Sequence, residues 1–344
     1  MKYIPALDGV RALAILLVLL FHWFPMDHWV NILPNGPIGV TLFFVLSGYL
    51  ISNILMGQQA SRTFLPSFKN FVIRRALRIF PIYFLVLLVL LVGKKIGIQV
   101  VTDFYEHPFY YWTYLYNHWL EHTQNWSDML SPYWSLSVEE QFYIVWPFFM
   151  LLIPSGQKLL VFLWSVVVLG IVARYVSVHE LHGIGVYMIT CVDTFAWGAL
   201  LAFYLRNGRS AELGIWVRRL WIPVLILWIM LCVLHTDADL VKQLLFRTLT
   251  SMVSVALLFQ AMQTGVVARI FSWTPLRKVG QMSYGIYLYH MLVPDLFYQV
   301  AGRLHIPLPT DPYHVIGLWV LFLVAAISYR WIERPIQELK RYFV

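Results

Sequence analysis

The sequence predicts an all-α protein: a polytopic transmembrane helical bundle of about ten spans, with both termini cytoplasmic. Three observations predict it. Apolar residues make up 60% of the 344 residues and charged residues only 12%, about half the charged share of a water-soluble domain. Aromatic residues reach 17%, with 15 Trp and 20 Tyr, side chains that gather at membrane–water boundaries. The apolar residues also fall in runs of roughly 20, the length a helix rising about 1.5 Å per residue needs to cross a hydrocarbon core near 30 Å. A mean hydropathy of +0.69 agrees. The net charge of +8 is dispersed between apolar runs and not gathered on one module, which excludes nucleic acid as the leading partner. The lipid bilayer is the expected surroundings. Cys191 and Cys232 both fall inside apolar runs without paired spacing, so neither a disulfide framework nor a metal site is expected.

In chain order the spans are placed at about 8–24, 37–57, 78–93, 137–153, 158–175, 184–205, 219–235, 242–263, 280–299 and 313–331. The first follows Lys2, contains Asp8 and Arg11 and lacks a small-residue cleavage site, so it reads as a retained helix. Pro34-Asn35-Gly36-Pro37 and Pro154-Ser155-Gly156 punctuate the gaps before the second and fifth. With the N-terminus inside, eighteen of the 25 lysines and arginines fall in cytoplasmic segments, Lys2 and Arg62 among them, and five in outer ones. That asymmetry supports an even span count. The longest outer loop, about 94–136, is rich in Tyr, Trp and His, as in Tyr110-Tyr111-Trp112, Asn117-His118-Trp119 and Asn125-Trp126. It reads as amphipathic and interfacial, not as a folded domain. The chain is expected to be a single integral-membrane domain over 1–344, without a separate soluble domain.

Ionisable groups inside a bilayer are costly, so each one here invites a functional hypothesis. Arg11 and His22 lie eleven residues apart on the first span, about 16 Å and three turns, hence on one face. A histidine there can act as general base; the alternative is an interfacial ring beside Trp23 with a snorkelling Arg11. Tyr133-Trp134-Ser135-Leu136-Ser137-Val138-Glu139-Glu140-Gln141-Phe142-Tyr143 opens the fourth span. Ser135 or Ser137 can cap that helix and the two glutamates favour its positive end. The topology also puts them level with His22, where a carboxylate can set an imidazole's tautomer.

Arg74, Arg75 and Arg78 enter the third span at helical spacing, either as a phosphate-binding fork or as ordinary cytoplasmic anchors. Ser283, Tyr287 and His290 make a polar stripe on the ninth span, facing a cavity or bonding another helix. Ser47-Gly48 on the second span suits close backbone approach. Glu333-Arg334 reads as an ion pair beyond span ten, and Asp193 and Arg247 as partners or cavity-lining groups.

Together these segments resemble the integral-membrane acyltransferase family 3. The matching residues are Leu7-Asp8-Gly9-Val10-Arg11-Ala12-Leu13-Ala14 through His22, Phe43-Phe44-Val45-Leu46-Ser47-Gly48-Tyr49 and Arg74-Arg75-Ala76-Leu77-Arg78-Ile79-Phe80-Pro81-Ile82-Tyr83. Trp134 through Tyr143, Ser283 through His290 and Glu333-Arg334-Pro335 complete the set. The resemblance implies ten helices and transfer of an acyl group, usually acetyl from acetyl-CoA, to a hydroxyl on a cell-envelope carbohydrate. It implies that Arg11 and His22 are essential, and the setting is a bacterial cytoplasmic (inner) membrane. Acetyl-CoA or another acyl-CoA is a co-substrate; no tightly bound cofactor is expected. Many relatives carry a C-terminal extracytoplasmic esterase-like domain. This sequence is read as the form without one, which leaves open a separate extracytoplasmic partner.

On that resemblance the catalytic group is His22, Glu140 (chosen over Glu139), Arg11 and Tyr143. Arg74, Arg75 and Arg78 would meet the CoA phosphates, and Ser47, Tyr49, Trp134, Tyr287 and His290 would line the substrate and acyl-CoA path. Two other classes stay open at this stage: a multi-span transporter of an anionic small molecule or envelope-glycan precursor, and a structural subunit of a polysaccharide machine.

Overall fold

The computed structural model describes residues 3–59, 64–233, 240–306 and 315–343, with the backbone alone for 240–243; Lys2 and Arg62, counted for topology, lie outside them. Sixteen α-helices occur among the described residues, and no strand. They are α1 (Pro5–Trp23), α2 (Asn35–Gln58), α3 (Phe64–Lys95), α4 (Pro108–Trp112), α5 (Tyr116–Thr123), α6 (Tyr133–Leu152), α7 (Gln157–Tyr175) and α8 (Met188–Arg206), followed by α9 (Ser210–Val233), α10 (Leu240–Met262), α11 (Val266–Phe271), α12 (Thr274–Gln281), α13 (Ser283–Tyr289), α14 (Leu292–Arg303), α15 (Val315–Ser328) and α16 (Arg334–Glu338).

Among the described residues, eight helices are long and apolar enough to cross a membrane. Two expected spans differ. The span at about 137–153 is realised as α6, but Glu139, Glu140 and Gln141 in its first half keep it out of that apolar set. The span at about 280–299 is broken at His290 and Met291 into α13 and α14. Pro294 explains the break: it has no N–H to give the His290 carbonyl, and its ring crowds that same carbonyl. Apolar residues stand exposed at helical spacing on α7 (Val161, Val168, Val172), α9 (Ile222, Ile226, Ile229) and α15 (Trp319, Leu323, Ile327). Rows of that kind suit hydrocarbon surroundings and not water.

The chain divides into two compact units, Met1–Phe64 with Val138–Gln281, and Leu65–Ser137 with Met282–Val344. In the first, α2 packs against α8, and α1 against α2, α11 and α12. The α2–α8 crossing is a mutual notch. A Cβ on Gly48 would collide with the Phe195 carbonyl, and one on Gly198 with the Val45 carbonyl. The close approach read from Ser47-Gly48 is therefore realised, and Gly198 supplies the other half. Phe142 stacks on Phe195 at 3.9 Å, and Phe44 on the same ring at 4.7 Å, adding dispersion contact beside the notch.

Between α7 and α8, Arg174 forks onto Asp193 with bonds of 3.1 and 2.8 Å. The Arg174 and Asp193 side chains are 2% and 0% exposed. Thr248 donates to the same carboxylate at 3.0 Å. Of the two uses left open for Asp193 and Arg247, mutual pairing is not the one made. Arg174, on the helix packed against α8, takes the carboxylate, and Arg247 donates instead to the Gly185 and Thr190 carbonyls and Cys191 Sγ. Charges this deeply buried must be paired.

In the second unit, Tyr83 on α3 donates to the Tyr111 carbonyl at 2.8 Å, and Tyr284 on α13 to the Ile79 carbonyl at 2.8 Å. The segment at about 94–136, expected not to form a folded unit, is folded over residues 96–132. They fold around buried Phe104, Tyr111, Tyr116, Leu120 and Leu130. Asp128, only 2% exposed, accepts from the hydroxyls of Tyr111 and Tyr116 and from the N–H groups of Asp103 and Leu130. The aromatic residues that read as a membrane-surface signal are in part a core, organised by one buried carboxylate.

Candidate active site

The first unit holds all four expected catalytic residues, Arg11, His22, Glu140 and Tyr143. Leu7 to Leu19 give α1 an apolar body, and Pro5 suits its first turn. At its start, Arg11 donates to Asp8 Oδ1 at 2.6 Å. Asp8, 5% exposed, also accepts from Tyr3 at 2.6 Å and Gln281 at 3.2 Å. Arg11 is therefore fixed by its own helix and by α12, a structural tie that the Arg–His spacing alone did not reveal.

At the other end of α1, His22 Nδ1 lies 2.9 Å from the Val18 carbonyl. A carbonyl only accepts, so Nδ1 carries the proton and the neutral ring has Nε2 as its basic nitrogen. The ring meets Phe21 edge to face at 5.0 Å.

Ser47 Oγ on α2 donates to Glu139 Oε1 on α6 at 2.8 Å. Tyr143, one turn along α6, donates to Glu139 Oε2 at 3.1 Å and lies 3.3 Å from Ser47 Oγ. Ser47, Glu139 and Tyr143 thus close a triangle of hydrogen bonds. Glu139 and Tyr143 are i,i+4, which puts both on one helix face. Glu140 is set about 100° round the helix from Glu139 and is buried, at 6% exposure. The carboxylate bonded to Ser47 and Tyr143 is accordingly Glu139. Tyr49, two residues beyond Ser47, is buried at 4% exposure. Deeper on the same pair of helices, Trp146 Nε1 donates to Ser52 Oγ at 2.8 Å.

The second unit carries the other expected residues. On α3, Arg74 is exposed, while Arg75 and Arg78 are half-buried. The Arg75 guanidinium lies over the Phe71 ring, 5.6 Å from its centre, a cation–π contact. The Arg78 charge acts on Glu333, a residue 3% exposed to which Ser328 donates at 3.4 Å. The expected Glu333–Arg334 pair is corrected, because Arg334 turns outward to Glu338 at 3.3 Å and leaves Glu333 inward. Tyr287 shares a 2.6 Å hydrogen bond with Ser135 and donates to the Pro132 carbonyl at 2.9 Å. His290, 1% exposed, bonds the Tyr287 carbonyl through Nδ1 at 2.6 Å. Trp134, half-buried, precedes that serine. Of the polar stripe on α13, Tyr287 bonds another helix, one of the two uses the spacing allowed, whereas the His290 bond to the Tyr287 carbonyl is local.

A cavity of about 110 Å³ among α7 to α10 is walled by Trp164, Trp197, Trp216 and Trp221 with Leu and Val side chains. Tyr204 is the one ionisable group in its lining, so it holds no acid–base pair. Among the described residues there is no group of three His, Cys, Asp or Glu side chains placed to hold a metal ion.

Apolar helices able to span a bilayer define an integral membrane protein, and α1, α2 and α6 carry its candidate residues, His22 on the first and the Ser47–Glu139–Tyr143 triangle on the other two. The chain belongs to the acyltransferase-domain family, whose model matches residues 4–330. It is 31% identical to the peptidoglycan O-acetyltransferase OatA of Listeria monocytogenes, over 98% of this chain and 56% of the relative. It is 32% identical to YrhL of Bacillus subtilis, provisionally named as a peptidoglycan O-acetyltransferase, over 98% of this chain and 55% of the relative. A provisionally named O-acetyltransferase of Staphylococcus aureus is 29% identical over 98% of this chain and 58% of its own length. The chain therefore spans little more than half the length of these relatives. No solved structure matches it.

Proposed function

We propose that the chain is the membrane part of an O-acetyltransferase, moving an acetyl group from cytoplasmic acetyl-CoA to a hydroxyl of an extracytoplasmic cell-envelope glycan, with peptidoglycan the first acceptor to test. The relatives' names support the acetyl group and the acceptor class. The observation that carries the chemistry is the His22 tautomer: Nδ1–H is spent on the Val18 carbonyl, which makes Nε2 the base.

In this reading His22 Nε2 takes the proton of the acceptor hydroxyl as its oxygen attacks the thioester carbonyl. The C–S bond then breaks, and the CoA thiolate leaves and is protonated. Glu140 steadies the imidazolium, as a carboxylate does in hydrolase triads. Glu139 holds Tyr143 and Ser47 in place, and Tyr143 either polarises the thioester or carries the acetyl group in transit. Arg74, Arg75 and Arg78 receive the CoA phosphates, and Arg11 braces the first helix through Asp8. Tyr49 in the first unit, and Trp134, Tyr287 and His290 in the second, are assigned to substrate and acyl-CoA binding. Both termini are cytoplasmic and the membrane is the bacterial inner membrane. A separate extracytoplasmic protein can complete delivery.

Sealed, oriented vesicles test this. Acetyl-CoA on the cytoplasmic face should suffice, with acetylated glycan on the opposite face. Sidedness is read by an impermeant thiol reagent at Trp126→Cys and Ser155→Cys, both exposed positions, against buried Cys191 and Cys232. The first should react only from outside and the second only from inside. Labelling of both from one side, or product on the donor face, would overturn the reading.

A further inference from the structure

The folded segment between α3 and α6 carries a second polar–aromatic cluster that the proposed chemistry does not use. Trp119 on α5 stacks against His107 at 4.0 Å and against Tyr110 on α4 at 4.9 Å, with tilts of 35° and 34°. All three rings are part-exposed. Trp119 Nε1 donates to Asp103 Oδ2 at 2.9 Å, and Asn125 Nδ2 donates to both Asp103 oxygens at 3.3 and 3.4 Å. Asn125 Oδ1 in turn accepts from the Ser127 N–H and hydroxyl, at 3.2 and 2.6 Å.

The backbone is held from below. The Asp103 N–H donates to Asp128 at 3.2 Å, and the left-handed Gln124 (φ 51°) turns the chain between α5 and Asn125. The result is a pre-organised rim of a carboxylate and an amide beside a part-exposed aromatic stack. A carboxylate offers about four acceptor positions and an amide nitrogen two donor hydrogens, so both retain capacity for a ligand.

We propose that Asp103, His107, Tyr110, Trp119 and Asn125 form an acceptor-recognition subsite for an uncharged, hydroxyl-rich sugar. The proposal rests on the glycan-acetylating function and on the outward placement of this segment. The aromatic rings take the C–H face of a pyranose, Asp103 accepts from its hydroxyls, and Asn125 donates to a hydroxyl or acetamido oxygen. Charge selects against a polyphosphate glycan. Residues 96–136 contain Asp103, Glu106, Glu121 and Asp128 and not one Lys or Arg, so an anionic polymer would be repelled.

The test uses the full chain in nanodiscs with N-acetylchitotetraose as acceptor probe, read by saturation-transfer NMR for binding and by labelled acetyl transfer for kinetics. His107→Ala and Asn125→Ala should each weaken probe binding about fivefold, as loss of one aromatic or hydrogen-bond contact predicts. The transfer effect should lie in acceptor KM. Trp119→Phe keeps a ring and should weaken binding less than Trp119→Ala. Trp319→Ala, an exposed ring on α15 outside the cluster, should change neither. If the parent neither acetylates nor binds the probe, or if it does and the His107 and Asn125 variants match it in both, the subsite is overturned. Binding that the variants lose, in a parent that transfers no acetyl group, would uphold the subsite and refute the proposed activity. Lower melting temperatures with unchanged binding and KM would make the cluster purely structural and likewise overturn it.

Discussion

Ser47 and Glu139 are 92 residues apart in sequence and joined by a 2.8 Å hydrogen bond. That bond fixes α2 to α6 at the point where Tyr143 also reaches the carboxylate. A part-buried carboxylate with two hydroxyl donors is held in one rotamer, and what it holds in turn is the Tyr143 hydroxyl.

The two adjacent glutamates should therefore respond differently to loss of charge. Glu139→Gln keeps an acceptor for Ser47 and Tyr143 but weakens both bonds, so turnover should fall about tenfold through misplacement of Tyr143. Glu140→Gln removes the charge assigned to the imidazolium and should lower turnover at least about 10²-fold. Single-turnover rates for the two purified variants check the order. The reverse order would transfer the His22-orienting role to Glu139.

Donor binding should depend on guanidinium geometry and not on positive charge alone. Arg75→Lys loses the planar group stacked on Phe71, and Arg78→Lys replaces a planar five-donor guanidinium with a point charge. Each should raise acetyl-CoA KM by about tenfold, a change of roughly 1.4 kcal/mol. Calorimetric CoA affinities equal to the parent's would reduce the cluster to a membrane anchor.

The α2–α8 notch should tolerate no side chain. A Cβ on Gly198 meets the Val45 carbonyl and would lie 2.6 Å from the Tyr49 amide nitrogen, both backbone atoms with no rotamer to move. Gly198→Ala should displace α2, which carries Ser47, at a cost of about 1–3 kcal/mol or more. A lowered melting temperature in detergent together with lost activity is expected, whereas Gly302→Ala, where a Cβ meets nothing nearby, should cost less.

Alkaline stability should report on the Asp128 core. Burial first, then the neighbouring Tyr116 and Asp128, hold the Tyr111 phenol above its ordinary range; burial and Asp128 do the same for Tyr116. The unfolded phenols release their protons near pH 10 while the folded ones keep theirs. Stability from these groups is thus whole below about pH 10 and declines as pH rises beyond it. Tyr111→Phe should lower the melting temperature at pH 8, since Asp128 loses a donor, yet flatten its fall between about pH 9.5 and 11.5. Parallel melting curves for parent and variant would contradict this.

Most of the fold was legible because spanning a bilayer demands long apolar runs, and those runs are visible without any partner. The residues that escaped did so for physical reasons. The break at His290 needed Pro294 weighed against a strongly apolar window. Asp193 paired with Arg174 and not Arg247, and Glu333 was buried beside Ser328 while Arg334 paired with Glu338, because helix packing selects among equally charged candidates. Arg11 and His22 could be marked from spacing on one helix, and Ser47 and Tyr143 from their motifs. The choice between Glu139 and Glu140 could not, since adjacent residues differ only by a rotation that packing decides. The ordered core of 96–132 was hidden because aromatic residues signal an interface and an interior alike.

The most direct measurement of the central claim is transfer of labelled acetyl from acetyl-CoA to a cell-envelope glycan by purified, monodisperse His22→Ala protein in nanodiscs, beside the parent. With Nδ1 committed to Val18, removing the ring removes the base without removing a tertiary hydrogen bond through that nitrogen. The variant should melt near the parent and bind CoA as well, while transferring acetyl about 10²–10⁴-fold more slowly. A folded His22→Ala protein that transfers acetyl at close to the parental rate would contradict the account.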